Sequence, residues 1–129
     1  MPITPVKDLV AQAKTQIRTL PADEVQRLSD AGEILLVDIR DPRELTRDGK
    51  IPGAFSAPRG MLEFWVDPSS PYHKPALVTD KMLVLYCASA WRSALAVKAL
   101  QEMGVENIAE LQDGFSAWKK AGRPVETPE

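Results

Sequence analysis

The sequence predicts an α/β fold built on a central, mostly parallel sheet, and two observations carry that expectation. Ile34-Leu35-Leu36-Val37-Asp38 and Met82-Leu83-Val84-Leu85-Tyr86-Cys87 are continuous apolar runs, the pattern of parallel strands covered on both faces. Helical stretches alternate with them, as crossover connections between parallel strands require. Residues 4–16 form an amphipathic pattern in which Thr4 is placed to cap, Pro5 suits the first helical position, and Val6, Leu9, Val10 and Ala13 share a face. A short helix follows Pro21, runs through Val25 and Leu28 and ends near Ala31-Gly32. After the two strong strands comes a weaker one, Ile108-Ala109-Glu110-Leu111. Residues 92–103 are the clearest helix, stopped by Gly104, with Val105 placed to touch Leu100. Phe115 to Lys120 is a shorter helix ended by Gly122 and Pro124, and Asp67–Lys74 is the longest loop signal.

The chain has 129 residues, 44% hydrophobic and 26% charged, which suits one domain with a substantial core. Sixteen basic residues against 18 acidic ones leave a net charge of −2. That balance supplies no general attraction for nucleic acid or anionic lipid, so an anion binder must gather its positive charge locally. No apolar stretch approaches the ~20 residues of a spanning helix. The N-terminus shows no signal-peptide pattern, so the cytoplasm is the default expectation. One cysteine excludes an internal disulfide, and one Cys with one His (His73) cannot build a zinc site. No metal and no cofactor are expected.

Cys87 ends the second apolar strand, and a helix starts about five residues later. Ligands in open α/β sheets bind beyond the carboxyl ends of the strands. A loop entering a helix also aims unpaired backbone N–H groups at one spot. Such donors stabilise a thiolate, and Arg92 adds a permanent cation with a planar fork suited to oxyanions. The competing reading is that Cys87 is a small buried hydrophobe at the end of a core strand. The residues alone leave these two readings open.

The stretch Cys87-Ala88-Ser89-Ala90-Trp91-Arg92-Ser93 resembles the active-site loop of the rhodanese-like sulfurtransferases, whose single-domain members show C-x-x-G-x-R followed by Ser or Thr. Asp38-Ile39-Arg40 with Glu44 resembles the family's D-[VI]-R…E segment. Gly49-Lys50-Ile51-Pro52-Gly53-Ala54, then Ala57-Pro58, is similar to its G-H-I-x-G-A…I-P segment. Leu111-Gln112-Asp113-Gly114-Phe115, Trp118 and Ala121-Gly122-Arg123-Pro124-Val125 are similar to its L-x-G-G-x-x-x-W…A-G-x-P-V ending. These ordered blocks cover roughly residues 17–125, leaving residues 1–16 as an N-terminal helical extension to a domain at 17–129.

The resemblance implies a three-layer α/β/α fold with about five strands, and a sulfurtransferase in which Cys87 is the nucleophile. Its thiolate would attack the outer sulfur of thiosulfate or another small anionic sulfur donor. The resulting persulfide would be cradled by backbone groups of Ala88, Ser89, Ala90, Trp91, Arg92 and Ser93 and passed to cyanide or a thiol. Arg92 has two candidate roles, binding the donor's sulfonate or holding the loop through its own carbonyls. Asp38 and Arg40 are expected to support the site as an ion pair or backbone-holding network, and Arg59 to add positive potential at the mouth or simply to be solvated.

Trp91 either shapes access to the sulfur or packs on a helix. Trp65, Tyr72 and His73 lie on a segment that could fold over the pocket, while Trp118 reads as core. The N-terminal helix packs on the domain or makes a dimer contact, so monomer and homodimer both stand.

Three positions depart from the family pattern. Ala90 replaces the loop Gly and is expected to take an ordinary backbone conformation. Lys50 replaces a His, with no expected effect on chemistry. Asp113 replaces a Gly, where it can cap the following helix. Two other activities compete. Phosphatases and arsenate reductases of similar fold have five residues between Cys and Arg, whereas this loop has four. A sulfur relay or regulatory module acting on a protein partner is the second.

Overall fold

The computed structural model describes residues 2–127. Its elements in chain order are α1 (Val6–Lys14), β1 (Thr19–Leu20), α2 (Ala22–Asp30), β2 (Ile34–Asp38), α3 (Pro42–Asp48), β3 (Phe55–Ser56), α4 (Leu62–Val66), β4 (Met82–Tyr86), α5 (Arg92–Glu102), β5 (Ile108–Leu111) and α6 (Gly114–Lys120). Short 3-10 turns cover Arg59–Met61 and Pro75–Leu77.

The strands form one sheet in the order β1-β5-β4-β2-β3, and every pairing between them is parallel. β4 is therefore central, paired from Met82 to Tyr86 with Ile34 to Asp38 on one side and through Leu83–Leu85 with Ile108–Glu110 on the other. The period-two alternation of a strand divides its side chains between two cores. Val84 and Tyr86 pack with Leu36, Leu111, Phe115 and Trp118 beneath α2 and α6. Leu83, Leu85 and Cys87 pack with Ala96, Val97 and Leu100 of α5 and Leu62 of α4. Helices thus cover both faces, which is why β2 and β4 read as uninterrupted apolar runs. Trp118 is core, 2% exposed, and its Nε1–H donates to Pro124 O at 2.8 Å.

α1 is shorter than the predicted 4–16 span. Pro5 is extended at ψ 140° and stands outside the helix as its N-cap without a side-chain hydrogen bond, so Thr4 does not cap. Pro5 O accepts from Asp8 N and Leu9 N instead. Of the predicted apolar face, Val10 and Ala13 are buried against Ala94 of α5, while Val6 and Leu9 are exposed. α5 ends as the sequence indicates: Gly104 has φ +105° and Val105 N donates to Leu100 O at 3.0 Å. Among the described residues, no helix is long and apolar enough to cross a membrane.

Candidate active site

The central strand delivers Cys87 to the carboxyl edge of the sheet, where the chain makes a four-residue loop and enters α5 at Arg92. Cys87 is 1% exposed. Its Sγ accepts from Ser93 N at 3.4 Å and lies 3.7 Å from Ser93 Oγ. Among the described residues, no backbone acceptor takes the N–H groups of Ala88, Ser89, Ala90 or Trp91. The loop therefore keeps free donors, the property an anion cradle needs.

Ala90 corrects the expectation of an ordinary conformation. Its φ is +65°, and the residue is buried. The tight turn from strand to helix demands a left-handed residue at this point, and a β-carbon there costs about 1–2 kcal/mol. Asp113 corrects a second expectation. It occupies the N-cap position of α6 at φ +63° but makes no side-chain capping bond. The N–H groups it would have served are already taken: Phe115 N donates to Cys87 O at 2.8 Å and Ser116 N to Ala88 O at 3.0 Å. The start of α6 thus clamps the cysteine loop from below.

Arg92 has a partner that the sequence does not name. Its Nη1 and Nη2 donate to Glu44 Oε2 and Oε1 at 2.8 and 3.0 Å, a fork-to-fork pair across the mouth of the site. Glu44 is placed for this by a capping box at the start of α3, in which Asp41 Oδ1 accepts from Arg43 N and Glu44 Oε2 accepts from Asp41 N. Arg92 holds Glu44 below its ordinary carboxylate range. Glu44, and more weakly Cys87, hold the Arg92 guanidinium above its ordinary value.

Asp38 and Arg40 are both buried and paired bidentately, Nε to Oδ1 at 3.0 Å and Nη2 to Oδ2 at 2.7 Å. Arg40 also donates to Gly49 O at 2.8 Å and lies 4.2 Å over the Phe115 ring. This pair fastens the β2–α3 turn to the start of α6. Burial pushes the neighbouring Tyr86 hydroxyl up, so it stays neutral and accepts from Ile51 N at 3.1 Å.

Arg59 is paired with Glu63 at 2.6 Å. Trp65 packs edge-on against Phe55, His73 Nδ1 lies 2.9 Å from Trp65 O, and Tyr72 packs on Phe64. The 62–74 segment is thus held both by its own turns and by packing of Leu62, Trp65 and Val66 on the core that includes Cys87. Trp91 is about half exposed on the loop. A cleft of about 400 Å³ opens beside the loop, lined by Arg40, Glu44, Arg47, Asp48, Ala88, Phe115, Ser116, Lys119 and Lys120.

Two residues with no sequence-level role complete the site. Glu110 is fully buried on β5 and accepts from Ser93 Oγ at 2.6 Å. Gly114, at φ +72°, lets α6 approach the loop so closely that a Cβ would lie 2.6 Å from Ala88 O. The apolar strand pattern concealed Glu110, although a carboxylate inside a buried strand is itself a signal, since buried charge must be paired. Among the described residues no group of three or more His, Cys, Asp and Glu could hold a metal ion.

A parallel α/β sheet with a thiol at the tip of its central strand, cradled by the turn into the next helix, defines a class of cysteine-centred group-transfer folds. Within that class the chain belongs to the rhodanese-like domain family, whose family model matches residues 21–121. A sulfurtransferase from Allochromatium vinosum is 35% identical over 104 residues, 81% of this chain and 89% of that protein. The solved structure of a Rhodopseudomonas palustris protein, described as a possible tyrosine phosphatase, superposes with TM-score 0.91 at 50% identity, covering 98% of this chain and 99% of that one. The polysulfide-sulfur transferase homodimer of Wolinella succinogenes superposes with TM-score 0.74 at 30% identity, over 95% of this chain and 88% of that one.

Proposed function

We propose that the protein is a sulfurtransferase that carries sulfane sulfur on Cys87 as a persulfide. The observation that carries this reading is the cradle itself: a buried Sγ that accepts from Ser93 N, inside a loop whose N–H groups at residues 88–91 have no backbone acceptor. The thiolate attacks the outer sulfur of a donor such as thiosulfate. A sulfur–sulfur bond forms to Cys87, and the donor's own sulfur–sulfur bond breaks, its electron pair leaving on sulfite. A nucleophilic acceptor, cyanide or a thiol, then attacks the outer sulfur, and Cys87 departs as thiolate. Lys119 and Lys120, on the rim of the cleft beside Ala88, supply local positive charge for an anionic donor that a net charge of −2 does not supply globally. The loop backbone and these lysines bind the donor, while Arg92 and Arg40 hold the frame.

Incubation with thiosulfate followed by mass spectrometry is expected to show one added sulfur atom on the wild-type chain and none on Cys87→Ser. Equal uptake by the two proteins removes Cys87 from the mechanism. A phosphatase reading has one observation in its favour, the description of the Rhodopseudomonas palustris protein. Four residues between Cys87 and Arg92 form a smaller cradle than the five of that chemistry, and Arg92 is already closed on Glu44. Cys87-dependent turnover of an aryl phosphate would reverse this preference. Slow transfer to cyanide with fast transfer to a protein thiol would identify a relay instead.

A further inference from the structure

Glu110 is a buried carboxylate that the sulfur-transfer chemistry above does not use. Its Oε1 accepts from Ser93 Oγ at 2.6 Å, and its Oε2 accepts from Lys14 Nζ at 2.8 Å and Thr19 Oγ1 at 3.0 Å. A hydroxyl has one proton to give. Ser93 gives it to Glu110, so the oxygen turned toward Cys87 Sγ, 3.7 Å away, is an acceptor for the S–H and not a donor to the sulfur anion.

We propose that Glu110 is a positioning residue for the sulfur site: it claims the Ser93 hydroxyl proton and so turns the Ser93 oxygen toward Cys87 Sγ as an acceptor, with Lys14 of α1 anchoring Glu110 from the far side. The inference rests on the sulfurtransferase reading of Cys87. The chain of contacts runs through Cys87 at the end of β4, Ser93 of α5, Glu110 of β5 and Lys14 of α1, which makes the N-terminal helix part of the site's electrostatics. The other charged groups near the sulfur are Arg92, paired with Glu44 of α3, and those lining the cleft beside Ala88: Arg40, Arg47 and Asp48, with Lys119 and Lys120 of α6.

The consequence has a definite sign. In Glu110→Gln the side-chain carbonyl stays with Lys14 and Thr19, because both are donors, and the amide NH2 faces Ser93. The Ser93 hydroxyl is then released and turns its proton to the sulfur. Alkylation of Cys87 by iodoacetamide at neutral pH is expected to accelerate on the order of tenfold, the size of one hydrogen bond to a charged group. The pH profile of alkylation is expected to move to lower pH.

Adding Ser93→Ala to Glu110→Gln is expected to abolish the gain. A gain that survives in the Ser93→Ala background belongs to removal of charge alone and overturns the proposal, as does an unchanged or slower rate in a folded Glu110→Gln protein. Lys14→Met, at a partly exposed position, is a second variant should Glu110→Gln not fold. It removes one donor from Glu110 Oε2 and is expected to change the alkylation rate only while Ser93 is present; no change, or an equal change in the Ser93→Ala background, overturns the proposal. Alkylation needs no sulfur donor, so wild-type protein that alkylates as described but takes up no sulfur from thiosulfate refutes the sulfurtransferase reading and leaves the Glu110 result standing.

Discussion

At Gly114 a single methyl group decides whether the cysteine loop and the last helix can coexist. A Cβ there would meet Ala88 O at 2.6 Å and Cys87 O at 2.7 Å, both backbone atoms with no flexible end to yield. The residue is also left-handed, so any side chain adds strain. Gly114→Ala is expected to destabilise the fold by about 1–3 kcal/mol, the range of core overpacking, as read from a urea midpoint. It is also expected to abolish persulfide formation, because the clamp from Phe115 N and Ser116 N must open. Retained sulfur uptake with a normal midpoint would show that the clamp is dispensable. Ala90 poses the opposite problem, a methyl present where the backbone favours none. Its φ of +65° could not be read from the residue: the loop is closed by contacts from Gly114 and Ser93, which lie far along the chain or across the turn.

Among the elements, α3 and α5 are joined by one contact that the chain does not announce. Asp41-Pro42-Arg43-Glu44 carries the signature of a helix start, yet nothing in it says that Glu44 will meet Arg92, 48 residues later. Glu44 is held below its ordinary value of 4.5 by Arg92, with the capping hydrogen bond from Asp41 N acting in the same direction. A carboxylate whose folded value is depressed contributes stability that is fully present above its unfolded value and is lost as pH falls through the folded one. Wild-type stability is therefore expected to decline as pH drops below about 4.5, and Glu44→Gln to flatten that limb. An acid limb of unaltered slope in Glu44→Gln, measured by urea unfolding across pH 3–6, would discount the pair.

The long elements were legible because hydrophobic period and stop signals agree: β2, β4, β5, α2, α5 and α6 lie where the apolar runs and glycines put them. β1 and β3 were not, since two residues carry no period. They are strands only because β5 and β2 offer them an edge. The cysteine, its loop and the Asp38–Arg40 pair were likewise visible as local motifs, while Glu44 and Glu110 acquire their roles only through partners remote in sequence.

At the scale of the molecule, the five parallel strands place every strand terminus of one sense on one rim, and the sulfur sits at the middle of that rim. The near-neutral charge leaves attraction for anions to the immediate surroundings of the loop. The central strand is covered on both faces and paired on both edges, so the amides of Leu83–Tyr86 are expected to show the slowest hydrogen exchange, and those of the two-residue edges β1 and β3 to exchange sooner. Faster exchange at β4 than at the edges would contradict this layout.

The strand order also dictates a sequence of events in time. With β4 seated between β2 and β5, the pairing of the central strand is half complete when residues 34–86 have been made and cannot close until residues 108–111 arrive. The carbonyls of Cys87 and Ala88 find their partners only with Phe115 and Ser116. During synthesis, when N-terminal portions emerge first and parallel pairings are intrinsically slow, Cys87 and its loop are thus translated before the α6 clamp on them exists. A nascent chain halted just after α5 holds Cys87 and its loop without the hydrogen bonds from Phe115 N and Ser116 N, which arrive with the last helix.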